Sequence, residues 1–136
     1  MIVSLVTSVT PELETLWHRA HKDVVVKRGG VALLDTLCGE RDVSQLLLDV
    51  VSTASLWIVT DQGQIKGLGV VRERIVEAIY VAHDFRRQKV ATKLLKSLLQ
   101  NDTPPIDAYA LPGDRAMKSL YESMGWKARL LTMRGA

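Results

Sequence analysis

Three β-type segments follow one another closely, and this succession constrains the fold more than any other feature of the sequence. They cover residues 55–60, 65–72 and 74–83, and the tight-turn sequence Asp61-Gln62-Gly63-Gln64 joins the first two. Strands connected by such short turns must pair antiparallel. The third segment has few polar residues after Glu77, which is typical of a strand covered on both faces. An antiparallel meander is therefore expected at the centre of the molecule.

Helical patterns and further strands surround this meander. Alternating residues predict a strand over 1–7, and two more strands are predicted at 106–110 and 126–133. Apolar residues recur at helical spacing in five other segments, which are 10–24, 31–37, 43–51, 88–100 and 115–124. The step from the third segment through the fourth helix should make a parallel pair by a right-handed crossover. The sequence predicts an α/β (α+β) fold, with a mixed, mostly antiparallel sheet of about six strands and helices on both faces.

Length and composition exclude several classes of protein. The chain has 136 residues, which fits a single domain spanning 1–136, and its 47% hydrophobic and 24% charged residues argue against disorder, collagen and coiled coil. No apolar run reaches the ~18 residues of a membrane span. The first seven residues carry neither a basic leader nor a cleavage site. We expect a cytoplasmic protein with no membrane partner.

Cysteine and histidine give no sign of a metal or disulfide site. Cys38 is the only cysteine, so it forms no internal disulfide and is expected in the core. His18 and His21 lie three residues apart on a predicted helix, but no third ligand is near them in the sequence. No metal is therefore expected.

Positive charge is concentrated in one segment of the chain. The net charge is +3, yet residues 84–136 hold 10 basic and 5 acidic side chains. Five of these bases lie within eleven residues: Arg86, Arg87, Lys89, Lys93 and Lys96. Such a cluster attracts an anion, which could be nucleic acid, an acidic membrane surface or a phosphorylated small molecule. The alternative is a solvated helix face.

The basic cluster coincides with the start of the predicted helix at 88–100. A helix N-terminus offers unpaired backbone N–H groups and the positive end of the helix dipole, so basic side chains around it favour phosphate binding. The segment has no Gly-Lys-Ser/Thr sequence and none of the glycines of a dinucleotide-binding fingerprint, so it fits neither a Walker loop nor a Rossmann turn. A phosphate site of another kind is indicated.

Two motifs resemble those of the GNAT N-acetyltransferase superfamily. The segment 79–95 is similar to its acyl-coenzyme A (CoA) motif, Arg/Gln-x-x-Gly-x-Gly/Ala, which maps onto Arg86, Lys89 and Ala91. The segment 116–126 is similar to the family's Leu-Tyr-Glu-x-x-Gly-Phe signature, with Tyr121 at its tyrosine. The motifs stand in the family's order and separation, and the order of strands and helices agrees over nearly the whole chain.

The resemblance implies an acyl-CoA-dependent N-acyltransferase that transfers acetyl from acetyl-CoA to a primary amine by direct attack. The amine would belong to a small molecule or a protein. Backbone groups of a splayed fourth strand would contact the pantetheine and the thioester, and Tyr121 would protonate the leaving thiolate. The resemblance assigns the strand positions to Ile79, Tyr80 and Val81, and the pyrophosphate positions to Arg86, Arg87, Gln88, Lys89, Val90, Ala91 and Thr92.

Lys89 stands where the family usually has glycine, which lets the backbone approach the pyrophosphate closely. Its Cβ could crowd the phosphate, or its ammonium could contact it. Helical backbone dihedrals are expected at this position, together with weaker binding or a changed position of the coenzyme.

Other candidate residues have two interpretations each. Strand alternation puts Glu77 on the face of Val81, where it could be the general base, directly or through a water; otherwise it pairs with Arg72 or Arg74. Tyr121 could instead be a core residue whose hydroxyl bonds the backbone. His83 could take a proton or be solvated, and Asp114 is expected to be an N-cap rather than a ligand.

Two other functions are compatible with parts of this pattern. A non-catalytic GNAT-like module could bind CoA and regulate a protein partner. A basic nucleic-acid binder is not expected, because no aromatic stacking pairs interrupt the basic run. The acceptor would be selected by residues 10–49, which match no signature. An exposed final strand could pair two copies, so a homodimer stays open.

Overall fold

The computed structural model describes residues 1–135 and contains a five-stranded sheet whose spatial order follows the chain order. The first four strands pair antiparallel, and the fifth pairs parallel with the fourth. The strands are β1 (Ile2–Leu5), β2 (Leu56–Asp61), β3 (Gln64–Arg72), β4 (Ile75–Val81) and β5 (Asp107–Ala108). The predicted meander and the predicted parallel crossover are both confirmed.

Five helices cover the two faces of the sheet. They are α1 (Pro11–Val25), α2 (Gly30–Cys38), α3 (Val43–Ser52), α4 (Val90–Leu99) and α5 (Arg115–Ser123). The start of α1 is the one that the sequence predicts: Thr10 Oγ1 accepts from the Leu13 N–H at 3.2 Å, and Pro11 occupies the first turn. A capping box of Asp42 and Gln45 starts α3. The mixed α/β class is confirmed.

Two hydrophobic clusters form, one on each face of the sheet. Residues of α1–α3 pack with Leu56, Leu68 and Val70 on one face, and Cys38 is buried there as expected. On the other face α4 and α5 pack with Val59. None of the helices within residues 1–135 has the length and apolar character of a membrane span.

Two close approaches set the spacing of these layers. A Cβ built on Gly69 of β3 would lie 2.8 Å from Leu94 Cδ2, and one on Gly67 would lie 2.9 Å from Val90 Cγ1, so α4 sits directly against bare backbone. Between the first two helices, a Cβ on Gly30 would lie 1.7 Å from the Val24 carbonyl oxygen. At Gly30 no side chain fits because the opposing atom is backbone, whereas at Gly67 and Gly69 an added Cβ would force Val90 and Leu94 to shift.

The predicted sixth strand at 126–133 is wrong, since no strand forms in residues 126–135. The backbone turns at Gly125 (φ +87°), and Trp126 then stacks on Tyr121 with ring centroids 5.6 Å apart. Beyond it, Leu130, Leu131 and Met133 are exposed. The last strand of the sheet in residues 1–135, β5, is two residues long and offers too few ladder bonds to hold another strand. The homodimer contact expected from the sequence, in which the final strand pairs between two copies, therefore has no strand to form it.

Candidate active site

The sheet opens between β4 and β5. The two strands pair only at Ile75 and Val76, and the Tyr109 N–H donates to the Val76 carbonyl at 2.9 Å. From there to Val81, β4 is paired with β3 alone, and no strand of residues 1–135 lies along its other edge. A cleft with unpaired strand backbone results.

The groups that face this cleft follow from the hydrogen bonds at the end of β4. The Ala82 N–H points toward β3, where it donates to the Lys66 carbonyl at 2.9 Å. By alternation, the backbone groups of Ile79 and Val81 point to the open edge, and those of Tyr80 point to β3. In agreement, the Val81 carbonyl accepts from Arg86 Nε at 3.3 Å.

A row of free backbone amides lies at the start of α4. The first hydrogen-bonded amide of the helix is that of Lys93, which donates to the Lys89 carbonyl at 3.0 Å. The N–H groups of residues 87–92 make no hydrogen bond within the described part of the chain. They include the five amides, 88–92, for which the sequence predicts phosphate binding. Successive free N–H groups at a helix start form a concave site for an anion.

The backbone at Lys89 differs from the expectation. Its φ of 62° and ψ of 28° are left-handed, so the prediction of helical dihedrals is wrong. The chain enters α4 through a tight turn in which Arg87 is also left-handed, with φ 64°. Such a conformation costs a residue with a Cβ about 1–2 kcal/mol. Lys89 thus adopts the conformation for which the motif's glycine is suited, and it differs from glycine only in its side chain.

The basic side chains around this turn point in several directions. The Arg86 guanidinium turns toward β4 and α1, where Nη2 lies 3.3 Å from Asp23 Oδ2. Lys66 Nζ lies 3.3 Å from Gln88 Oε1, while the side chains of Arg87 and Lys89 extend into solvent. Contact of Arg86, Arg87, Gln88 and Lys89 with a pyrophosphate stays a prediction.

Tyr121 lies on α5 with its ring buried, 7% exposed, in the cluster that also contains Ile79 and Val81. Its hydroxyl makes no hydrogen bond within residues 1–135, so the predicted alternative of a bond to the backbone is not formed. Every fully buried side-chain polar atom in those residues has a partner, so this unpartnered hydroxyl must reach solvent. Burial, and to a lesser degree the Asp114 carboxylate, raises the pKa of Tyr121 above its usual range. The phenol therefore keeps its proton.

This raised pKa predicts a loss of stability in alkali. The unfolded chain ionises a tyrosine near pH 10, whereas native Tyr121 stays protonated, so the unfolded state alone gains from deprotonation as the pH rises. The free energy of unfolding should fall by about 1.4 kcal/mol per pH unit from this residue above pH 10, and not below it. Urea denaturation of the parent and of Tyr121→Phe between pH 8 and 11 measures the difference. Exposed Tyr109→Phe is the control, and equal slopes for parent and Tyr121→Phe would contradict the assignment.

Glu77 occupies the position of a β-bulge. Val71 pairs with Val76 and Val70 with Ala78, which leaves Glu77 as the extra residue. Its carboxylate binds Arg72, the pairing that the sequence left open, and it is 11% exposed. The bulge reverses the alternation, so the prediction that Glu77 shares the face of Val81 is wrong.

The Glu77 ion pair extends toward the helices on the first face. Arg72 Nη1 lies 3.5 Å from Asp49 Oδ2 of α3, and Arg72 Nη2 donates to the Leu37 carbonyl of α2 at 3.5 Å. The carboxylate therefore belongs to the side of the sheet covered by α1–α3. A role as general base stays a prediction.

The remaining candidates are placed as follows. Asp114 caps α5, accepting from the Met117 N–H at 3.1 Å, as predicted. His83 lies exposed in a single 3₁₀ turn after β4. His18 contacts Ser44 at 3.4 Å, and no group of three metal-ligating side chains occurs in residues 1–135.

Sequence reasoning missed one carboxylate of the site, Asp23. The Tyr80 hydroxyl donates to Asp23 Oδ2 at 2.6 Å, and this carboxylate also holds Arg86. Asp23 is one of many charged residues on α1, and no motif singles it out. Because it is separated from its partners by about 60 residues, only the folded chain reveals the contact.

Solved structures of acetyltransferases have the same fold. The aminoglycoside N-acetyltransferase AAC(6')-Iy, in complex with the bisubstrate analogue CoA-S-monomethyl-acetylneamine, is 14% identical, with a TM-score of 0.60 over 99% of this chain and 97% of that one. A ribosomal-protein-alanine N-acetyltransferase from Brucella melitensis biovar Abortus 2308 is 15% identical, with a TM-score of 0.55 over 98% and 100%. A possible acetyltransferase from Clostridium difficile 630 is 14% identical, with a TM-score of 0.56 over 100% and 97%. At these identities the likeness establishes the fold.

No curated protein matches the chain significantly in sequence. A family model does: that of the acetyltransferase (GNAT) domain matches residues 32–132, about three quarters of the chain. The matched region includes β4, α4 and α5, which carry the cleft, the free amides and Tyr121. The chain belongs to the GNAT acetyltransferase family.

Proposed function

We propose that this protein is an acyl-CoA-dependent N-acyltransferase that transfers acetyl from acetyl-CoA to a primary amine. The observation that carries the proposal is the cleft between β4 and β5, which ends at the free amides of α4. An open strand edge offers hydrogen bonds to the pantetheine amides and the thioester carbonyl of acetyl-CoA, and free helix-start amides offer a site for its diphosphate. The two faces of one sheet carry both hydrophobic clusters, so we treat residues 1–136 as a single domain.

The coenzyme would be held by backbone more than by side chains. The pyrophosphate would accept from the amides of residues 88–92, with Arg86, Arg87 and Lys89 supplying positive charge around it. The pantetheine would lie along the open edge of β4 and bond the backbone of Ile79 and Val81. Tyr80, whose backbone groups point to β3, would contribute a coenzyme contact from the opposite face of the same strand.

The chemistry is an attack of the neutral amine nitrogen on the thioester carbonyl. The C–N bond forms while a backbone N–H of the β4 edge stabilises the developing oxyanion. The C–S bond then breaks, and Tyr121 gives its proton to the CoA thiolate and is reprotonated by solvent. The amine nitrogen gives its proton to Glu77, directly or through a water, once Arg72 has shifted away from that carboxylate. The alternative acceptor of this proton is bulk solvent.

Thermal unfolding tests the donor site directly. Acetyl-CoA at a hundredfold its Kd should stabilise the chain by about 2.7 kcal/mol, which raises the Tm by several degrees. Gln88→Glu adds a negative charge among the free amides, can keep the contact with Lys66, and should weaken acetyl-CoA binding about tenfold. Gln100→Glu adds the same charge at the other end of α4 and should leave binding unchanged. A Tm unmoved by millimolar acetyl-CoA would refute the proposal.

A second candidate is a GNAT-like module that binds CoA and regulates a protein partner without catalysis. Two observations favour it: Lys89 replaces the motif's glycine, and Glu77 is engaged by Arg72. Acetyl-CoA binding without thiol release across a broad panel of amines would support this candidate over the enzyme.

A further inference from the structure

A small apolar cavity lies between the sheet and the three helices of the first face. Its volume is about 60 Å³, and its walls come from α1, α2, α3, β3 and β4. Representative lining residues are Trp17, Leu33, Leu46, Leu68, Ala78 and Tyr80. Among the described residues that line it there is no carboxylate, and its one arginine, Arg72, is engaged by Glu77 and Asp49. The cavity is suited to an uncharged group.

Tyr80 connects this cavity with the open edge of β4. Its ring lines the cavity, while its chain neighbours Ile79 and Val81 present their backbone to the cleft. A group seated in the cavity therefore lies next to the strand along which the proposed thioester binds.

An accessible carboxylate lies at the rim of the same cavity. Asp23 follows Ala20 and His21, which line it, and its Oδ2 accepts from the Tyr80 hydroxyl at 2.6 Å. The side chain is 44% exposed, and Oδ1 has no hydrogen-bond partner among residues 1–135. One anionic oxygen thus stays free to receive a cation where the apolar wall ends.

We propose that the acceptor is a primary amine carrying one compact apolar group, which enters the cavity while the ammonium binds Asp23. One ammonium proton then passes to solvent, and the neutral nitrogen that results attacks the thioester carbonyl. This inference rests on the proposed function and names its substrate class. The cavity is smaller than the ~150 Å³ that accommodates benzene, so a short branched alkyl group fits and an aromatic ring does not. A polycation is disfavoured, because its second charge would be buried without a partner.

Tyr80 acts as a positioning residue for this carboxylate. Burial and the neighbouring Asp23 raise the pKa of the Tyr80 phenol, so it keeps its proton and donates to Oδ2. Arg86 Nη2 also lies 3.3 Å from Oδ2. Because Oδ2 has both of these partners, Oδ1 is the oxygen that binds the acceptor ammonium.

Steady-state thiol release with matched amines tests the substrate class. Isobutylamine should exceed ethylamine in kcat/KM by about tenfold, since two further carbons are buried. Its kcat/KM should also exceed that of putrescine by at least about tenfold. Leu34→Ala, which enlarges the cavity at a half-exposed position, should raise kcat/KM for benzylamine relative to isobutylamine. Putrescine turning over faster than isobutylamine would overturn the proposal.

The charge on Asp23 is tested by Asp23→Asn, which can still accept from Tyr80. It should raise KM for isobutylamine at least tenfold and leave the Tm shift given by acetyl-CoA unchanged. Asp102→Asn, in an exposed loop, is the matched control. An unchanged KM in Asp23→Asn would overturn the role of this carboxylate.

A binding measurement separates this inference from the proposed function. Titration with isobutylamine should shift the NMR signal of the Trp17 indole N–H, which lies at the cavity and donates to the Val43 carbonyl at 2.8 Å. Trp57, on the other face, serves as reference. The shift is expected with or without CoA, so it decides the inference even if acetyl-CoA fails to bind or no thiol is released. No shift of Trp17, or an undiminished one in Asp23→Asn, would overturn it.

Discussion

Replacing Tyr121 with phenylalanine is expected to lower turnover about a hundred- to a thousandfold and to leave the Kd for acetyl-CoA within about twofold. The ring stays buried and stacked on Trp126, so packing is retained and only the hydroxyl is lost. A positioned general acid contributes about 10²–10⁴ in rate. The Tyr121 phenol is protonated at neutral pH and so has a proton to give; its raised pKa also makes it a weaker acid, so donation requires the strongly basic thiolate that develops as the C–S bond breaks.

Thiol release under single-turnover conditions measures this effect, with acetyl-CoA binding followed separately by calorimetry. Tyr109→Phe removes a hydroxyl from an exposed tyrosine and should leave both quantities unchanged. Unchanged turnover in Tyr121→Phe would remove the acid role. A loss of binding equal to the loss of turnover would assign the hydroxyl to holding the coenzyme.

The largest expected effect on stability comes from Gly30→Ala. The new methyl would lie 1.7 Å from the Val24 carbonyl oxygen, and because that atom belongs to helix backbone, α1 and α2 must move apart. Overpacking of this kind costs about 3 kcal/mol or more. The two helices also form the cavity wall, so turnover with isobutylamine should fall as well.

Chemical denaturation of Gly30→Ala and of Gly113→Ala provides the comparison. At Gly113 an added Cβ meets only Arg28 Cβ at 3.7 Å, an ordinary contact, so that variant should differ from the parent by less than about 0.5 kcal/mol. Equal stability of the two variants would show that the α1–α2 contact is looser than the structure describes.

The sequence predicts the parts of the fold that local rules govern. Short turns dictate the antiparallel meander, and a helix between two strands dictates the parallel crossover. The final strand failed because a strand needs an edge to pair with, and the length of β5 cannot be read from 106–110. A two-residue strand offers the final segment too little edge to pair with, so that segment stays outside the sheet.

The candidate site also combines local features, which the sequence predicts, with tertiary features, which it does not. The helix start at 88–92 is a local feature, so the motif locates its free amides correctly. The bulge at Glu77 depends on the register of β3 against β4, and simple alternation therefore misplaced its side chain. The left-handed Lys89 reflects how tightly the chain must turn between β4 and α4, which spacing alone does not reveal. The contact of Asp23 with Tyr80 is purely tertiary.

The two glycines of β3 have a consequence for how this site tolerates sequence change. Where α4 crosses Gly67 and Gly69, a single layer of side chains, contributed by Val90 and Leu94, separates helix from strand. Where both elements contribute side chains to a contact, as in the cluster of Leu95 and Leu98 with Val59 and Val76, those side chains can repack around a substitution. At Gly67 and Gly69 the helix start rests on bare backbone, so the height of the amides above the sheet depends directly on Val90 and Leu94. Mutational drift that adds volume should therefore be penalised more at these two glycines than where neighbouring side chains can repack.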